Sequence, residues 1–339
     1  MLVPRNGDAR TVVASTMCSR RQRAMADSRI VFIVNPRSAA GATLRRFEQH
    51  RRRVTDLMTS KGHVVDVCLT EAPRHATRFA RDAVRAGATA VIAVGGDGTN
   101  NEVINGFFDD DGVRLPGDTA FGVVTSGTGG DFRRTLGWGT EPILDIERIA
   151  NLQRRRIDVG RIWCTDATGK EVSRYFLNES SFGLSGDVVD NANRSSKKLG
   201  AQLSFFKAAL KAAVVYEPKK VELSVDGGPS TIEDISFVAI TNGQYFGGSM
   251  KVAPNASLDD GRFDTVVTHG GLGFWLKNVA GLYSGRYINV DGVRVVRNQT
   301  LSAKAINANE RVPIEVDGEA PGFLPARWEI VPAAVDLLV

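Results

Sequence analysis

VIAVGGDGTNNEVING, residues 91–106, decides the fold. Its first four residues are a short apolar run with the pattern of a buried strand, and a helical pattern opens at Asn100. Between them lies Gly95-Gly96-Asp97-Gly98-Thr99. Glycine lets a backbone approach a ligand, and a helix N-terminus turns unpaired N–H groups and a positive dipole end towards it, so the junction suits phosphate. Asp97 would repel a phosphate unless a cation lay between them, which implies Mg²⁺. The plainer alternative is a tight strand-to-helix turn with Thr99 as N-cap. Neither GxxxxGK[ST] nor GxGxxG occurs in the chain, which argues against a P-loop NTPase and a dinucleotide oxidoreductase.

Working outward, residues 30–34 form a strand stopped by Asn35-Pro36, followed by a helix over 43–61, a strand over 64–69, a helix over 73–85, the strand 91–94, a helix over 100–108 and a strand over 121–124. This alternation predicts an α/β, Rossmann-like three-layer domain over 29–150 with a parallel sheet covered on both faces. The loops 35–41, 95–99 and 127–131 are all small and polar, and in such a sheet they gather at the carboxyl edge of the strands, where ligands bind. Beyond residue 158 strand patterns follow one another at 174–180, 221–225, 235–241, 263–268, 314–316 and 328–331, punctuated by Asp226-Gly227 and Asp317-Gly318. These predict a mostly antiparallel β-sandwich domain over 151–339, its last strand able to return to the first domain. Helical patterns interrupt it at 197–216 and 272–283.

The formal charge of +5 is concentrated at one end, because the first 29 residues hold six arginines against two aspartates. The remainder is close to neutral, so composition makes no case for nucleic acid as a partner. Residues 1–28 are expected to be a disordered or mis-started N-terminus, with Met25 as an alternative start. The three cysteines, at 18, 68 and 164, lack disulfide or zinc spacing and fit a reducing cytoplasm. No run approaches the roughly 20 apolar residues that cross a bilayer.

NPRSAAG (35–41), VGGDGTNNEVING (94–106), SGTGGDFRRTLG (126–137), RRIDVGRI (155–162), FLNESSFG (176–183), MKVAPNASLDDGRFD (250–264) and VDGEAPGFLPARWEIVP (316–332) together resemble the diacylglycerol kinase catalytic family, in family order from about residue 30 to the C-terminus. The bacterial soluble lipid kinase branch, related to sphingosine and ceramide kinases, is the most similar. A GGDGT loop alone would also fit NAD kinases and phosphofructokinases; the motifs of the β domain separate them.

The resemblance implies a cytoplasmic, peripherally membrane-associated lipid kinase that uses ATP and Mg²⁺ to phosphorylate a hydroxyl of a lipid such as diacylglycerol or a sphingoid base. It assigns nucleotide contacts to Asn35, Pro36, Ser38, Thr70, the loop Gly95, Gly96, Asp97, Gly98 and Thr99, and to Glu102 and Thr128. Asp97 and Asp131 would organise the phosphates and Mg²⁺, Asp260 with the carbonyls of Ser257 and Arg262 would bind a second Mg²⁺, and Glu319 would be the general base. Where the family has Asn before Asp131, this chain has Gly130. Two alternatives stay open: an NAD kinase-like enzyme, and a catalytically weak nucleotide- or lipid-binding protein. The basic and apolar stretch 197–220 suits either an anionic bilayer or a helix covering the core, and an exposed strand edge in the β domain would permit a homodimer.

Overall fold

The computed structural model describes residues 28–125, 130–184, 218–307 and 309–339. Strands β1 (Ser28–Val34), β2 (His63–Leu69), β3 (Ala90–Gly95) and β4 (Ala120–Thr125) pair in parallel in the order β2-β1-β3-β4. The near-continuous apolar runs of β1, β3 and β4 are what a sheet covered on both faces requires. Helix α1 (Ala42–Ser60) buries Phe47, Val54 and Met58 at helical spacing against one face, joined by Ile146 and Ile149 of α5 (Pro142–Ile149). On the other face α2 (His75–Arg85) contributes Ala76, Ala80, Ala83 and Val84, and α3 (Asp97–Asn105) contributes Val103 and Ile104. A five-residue helix, α4 (Asp131–Thr135), follows the second glycine-rich loop.

The C-terminal region is mostly antiparallel. Strands β7 (Glu179–Gly183), β10 (Phe237–Thr241), β11 (Phe263–Thr268), β12 (Val293–Asn298) and β14 (Pro313–Val316) line up as β12-β11-β10-β7-β14. β5 (Arg154–Thr165) and β6 (Glu171–Phe176) form a hairpin, and β8 (Lys219–Val225), β9 (Thr231–Ile235) and β13 (Thr300–Ala305) a second patch. Everything meets on β15 (Glu319–Leu338), which pairs with β14, β5 and β13 before Leu337 lies parallel to Phe121 of β4. A core of Phe176, Phe182, Phe263 and Trp328 fills the region between these strands. Helix α6 (Leu272–Ser284) crosses its edge beside Phe237 and Tyr287.

Several boundaries differ from those expected. β1 begins at Ser28, inside the stretch assigned to a disordered terminus, because the Ser28 hydroxyl bonds Thr89 Oγ1 at 2.9 Å and the strand pairs with β2 from that residue on. The single strand expected over 174–180 is two, since the backbone N–H groups of Leu177, Asn178 and Glu179 turn towards the Asp317 carboxylate instead of a neighbouring strand. Residues 235–241 likewise divide at Ser236, whose N–H bonds Thr268 O. The strand expected over 328–331 is part of a 20-residue element that carries Pro325 and Pro332 at two irregularities in its pairing with β5. At the second, Asp158 accepts the Ala333 N–H at 2.7 Å and the Gly261 N–H at 2.7 Å, replacing ladder bonds the bulge loses. The helical pattern over 197–216 lies outside the described residues.

Candidate functional site

Helix α3 starts three residues earlier than its periodicity indicates, so Gly96 is the N-cap and Thr99 lies within the first turn. Thr99 is buried against Gly95, where any Cβ would collide with its hydroxyl, and it accepts a hydrogen bond from the Asn35 side-chain amide at 3.1 Å. Asn35 in turn accepts the Arg37 N–H at 3.0 Å, and its carbonyl accepts the Ser38 hydroxyl at 3.1 Å. Pro36 follows in the same turn, and the Thr70 N–H bonds Val34 O at 3.0 Å. Asn35, Pro36, Ser38, Thr70 and the loop from Gly95 to Thr99 therefore gather where β1, β2 and β3 end. Gly98 faces open space on the first turn of α3, which leaves the helix N-terminus approachable by an anion. Thr128 lies outside the described residues.

The acidic residues of these loops have other partners than expected. Asp97 accepts the N–H groups of Asp131 at 3.0 Å and Phe132 at 3.1 Å, and Asp131 accepts those of Gly248 at 2.8 Å and Ser249 at 2.7 Å together with Arg134. Burial pushes the Asp97 carboxyl up, and the charge of Asp131 pushes the same way, while the N–H donors oppose both. Every oxygen of the two carboxylates thus already accepts a hydrogen bond. They brace α4 and the 248–249 turn rather than present a vacant oxygen face of the kind Mg²⁺ selects. The Asp260 carboxylate is likewise engaged, by the Arg262 N–H and the Arg297 guanidinium, in the same turn as Ser257. Among the described residues no three His, Cys, Asp or Glu side chains converge as a cation cage. These residues do not fit Mg²⁺ as they are arranged.

Gly130 adopts φ 62°, the left-handed conformation that Gly and Asn tolerate best, as N-cap of α4.

Further along α3, Asn101 and Asn105 fasten the helix to the second region. The Asn105 amide donates to Tyr175 O at 3.0 Å and its oxygen accepts the Tyr175 N–H at 3.0 Å, reproducing a strand-like pair with the end of β6. Asn101 donates to Tyr175 O at 2.8 Å and to Asp317 at 2.9 Å. Asp317 therefore accepts four donors, three from backbone and one from Asn101, while burial pushes its carboxyl up to about 7 against them. Glu315 accepts the Gly318 N–H and, at 2.7 Å, the Ser181 hydroxyl. Its neighbour Glu179 is held well above the usual carboxylate range by burial and then by Glu315. The turn Asp317-Gly318 is fixed from below by these groups, and it presents Glu319 to a cleft.

That cleft has a volume of about 560 Å³ and runs between α2, α3 and the β5–β6 hairpin. Glu319, Glu102, Arg74 and Arg174 occupy one part of it. Desolvation raises the Glu319 carboxyl above the ordinary range and the Glu102 charge adds to this, with Arg174 and Arg74 pulling it back. Glu102 accepts the Ala76 N–H at 3.1 Å, so it also caps α2. A carboxylate of raised basicity at the mouth of a turn fixed on four sides is what a proton-accepting group needs. Sequence reasoning did not single out Asn101, Asn105, Arg74 or Arg174, and it read Asp317 only as a turn residue. The pair Asn100-Asn101 inside a helical pattern, where Asn is a poor former, was the available signal for the first.

Residues 29–162 match the diacylglycerol kinase catalytic domain, and residues 179–339 match the YegS C-terminal NAD kinase beta sandwich-like domain. A diacylglycerol kinase of Bacillus subtilis is 28% identical over 285 residues, covering 83% of this chain and 88% of that protein. A diacylglycerol kinase of Mycobacterium tuberculosis is 27% identical over 258 residues, 76% of this chain and 78% of that one. A crystal structure of a diacylglycerol kinase from Bacillus anthracis superposes with a TM-score of 0.65 at 18% identity, covering 92% of this chain and 96% of that chain. A further structure from that organism reaches 0.72 at 20% identity, covering 92% and 95%. At such identities the structural likeness is one of fold.

Proposed function

Since residues 29–162 belong to the diacylglycerol kinase catalytic family and 179–339 to the YegS C-terminal family, we propose that this kinase transfers the γ-phosphoryl group of ATP, taken as its Mg²⁺ complex, to a hydroxyl of a lipid such as diacylglycerol or a sphingoid base. One observation carries the reading. Helix α3 begins at the glycine loop and its sixth residue, Glu102, lies in the cleft with Glu319, so about 7.5 Å of one rigid helix separates the phosphate loop from the cleft that holds the base.

The chain's own groups then divide the work. The first-turn N–H groups of α3, left open at Gly98, meet the nucleotide phosphates, and Asn35, Ser38 and Thr70 shape the same edge. Glu319 removes the proton from the acceptor hydroxyl as the phosphoryl group arrives. Phosphoryl transfer passes through a loose transition state, so most of the catalysis comes from holding donor and acceptor in line and from neutralising charge. Asp97, Asp131 and Asp317 contribute by keeping the loops and the turn in register. The acceptor's source places the reaction at a membrane surface, for which the basic and apolar residues between 197 and 220 are suited, most of them outside the described residues.

The test is transfer of label from ATP in the presence of Mg²⁺ to a mixed lipid extract, with NAD⁺ in a parallel reaction. Label in an organic-phase product supports the reading. Label on NAD⁺ alone overturns it, and so does ATP binding without transfer to any lipid.

A further inference from the structure

Below the Asp317-Gly318 turn lie two acids that the transfer step above does not use. Glu179 of β7 and Glu315 of β14 are almost wholly buried, and their carboxyl groups are in hydrogen-bonding contact. Two carboxylates so placed repel one another unless a cation or a proton joins them. Among the described residues no Lys, Arg or His lies within ion-pair distance of either. Asp317 adds a third acid from the turn, its oxygens taken by backbone N–H groups and by the Asn101 amide of α3. Across the sheet the row from Glu179 runs through neutral Thr241 of β10 to Asp264 of β11, which Arg297 of β12 takes at 3.3 Å.

Donors are shared unequally between the pair. Glu315 accepts the Gly318 N–H on one oxygen and the Ser181 hydroxyl at 2.7 Å on the other. Ser181 has a single O–H to give, and the buried Glu179 Oε2 has no hydrogen-bond partner. One proton on Glu179 resolves both defects, because it removes one of two like charges and supplies an O–H that donates to Glu315. Glu179 also grips the turn through its backbone: its carbonyl accepts the Asp317 N–H at 3.1 Å, and its N–H donates to the Asp317 carboxylate at 3.1 Å. Glu315 in turn holds Gly318, the residue directly before Glu319.

From this cluster we propose that Glu179 is a positioning residue for phosphoryl transfer: as a neutral acid it donates a hydrogen bond to Glu315, and this latch holds Gly318, and with it Glu319, against the acceptor hydroxyl. The proposal rests on the kinase reading above and adds an upper limit of pH to it. When Glu179 loses its proton, the two buried carboxylates repel, the grip on Gly318 loosens and Glu319 leaves its place. Activity should therefore fall at alkaline pH while the rest of the fold persists.

The test follows kcat, the KM for ATP and the melting temperature of the parent, Glu179→Gln and Glu179→Ala from about pH 6 to 10, with Mg²⁺ and a mixed lipid extract as acceptor. Infrared difference spectra of the parent against Glu179→Gln near neutral pH read the C=O stretch of a protonated carboxyl. Glu179→Ala lacks the donor and should lower kcat roughly tenfold or more with the KM for ATP unmoved, since small displacements of a reacting group are costly. Glu179→Gln donates at every pH, so it should restore most of that loss and abolish the alkaline limb of the parent. The infrared band should be present in the parent and missing from Glu179→Gln. A parent without an alkaline limb, a limb that Glu179→Gln shares, a limb that coincides with melting of the whole chain, or an absent band overturns the latch and leaves the kinase reading standing. Equal kcat in the Ala and Gln variants overturns it as well. No transfer by the parent at any pH overturns the kinase reading and the positioning role with it. If Glu179→Ala does not fold, the pH profile of Glu179→Gln and the infrared band carry the test.

Discussion

Asp317 and Glu319 stand two residues apart, and their surroundings have opposite character. On the Asp317 side, four N–H donors converge on one buried carboxylate, Glu315 ties down Gly318, and Asn101 joins the turn to α3. On the Glu319 side, a carboxylate and two arginines face a polar cleft, and none of these three groups has an ion-pair partner at salt-bridge distance among the described residues. The loops around Asp97 and Asp131 belong to the first kind, since their charges are consumed in holding backbone. Acidic residues within a kinase motif thus divide into those that hold the scaffold and one that remains available for chemistry, and partner count rather than motif membership tells them apart.

Substitutions should separate the two sides. Asp317→Ala leaves buried N–H donors without acceptors, each costing about 1–3 kcal/mol, so a chemical denaturation midpoint should report a loss of ~3 kcal/mol or more. Glu319→Gln should do the converse: turnover falls by roughly 10²–10⁴-fold on the usual worth of a general base, while the melting temperature and ATP affinity stay near those of the parent. Equal effects of the two changes on stability would erase the distinction.

The pH profile sharpens it. Glu319 must be ionised to accept a proton, and its carboxyl is raised, so activity should fall as pH drops through a value above the ordinary glutamate range. Glu102→Gln removes the neighbouring negative charge, favours the ionised form, and should move this acid limb to lower pH. An unmoved limb would mean that another group limits the rate. The smallest effect belongs to the rim: Asp110→Asn breaks the exposed pair with Arg81 and should change stability by less than about 1 kcal/mol.

Much of this architecture is legible in the chain and some of it is not, for physical reasons that can be named. β1, β3 and β4 announce themselves because strands buried on both faces must be continuously apolar. β5 opens with three consecutive arginines, and β13, Thr300–Ala305, is short and polar on alternate positions, so neither stands out from a loop. β15 hides behind its prolines, which in a sequence argue against a long strand and here fall where pairing is irregular. At the site, the glycine loop and Asp317-Gly318-Glu319 are local signals and could be found. The bonds that make Asp317 a brace join residues 138 to 216 positions apart, and no window along the chain contains them. Arg74 and Arg174 are a hundred residues apart by numbering and carry no motif; only the packing of α2 and of β6 against α3 brings them to one cleft.

β15 has a consequence for how the molecule is made. Leu337 provides the partner of Phe121 in β4, and Glu319 stands at the other end of the same strand. During synthesis the α/β region emerges first with the edge of β4 uncovered, and it stays so until Leu337 has left the ribosome. The edge closes and Glu319 reaches its cleft through one and the same strand, so nascent chains interrupted before β15 lack the covered edge and Glu319 together.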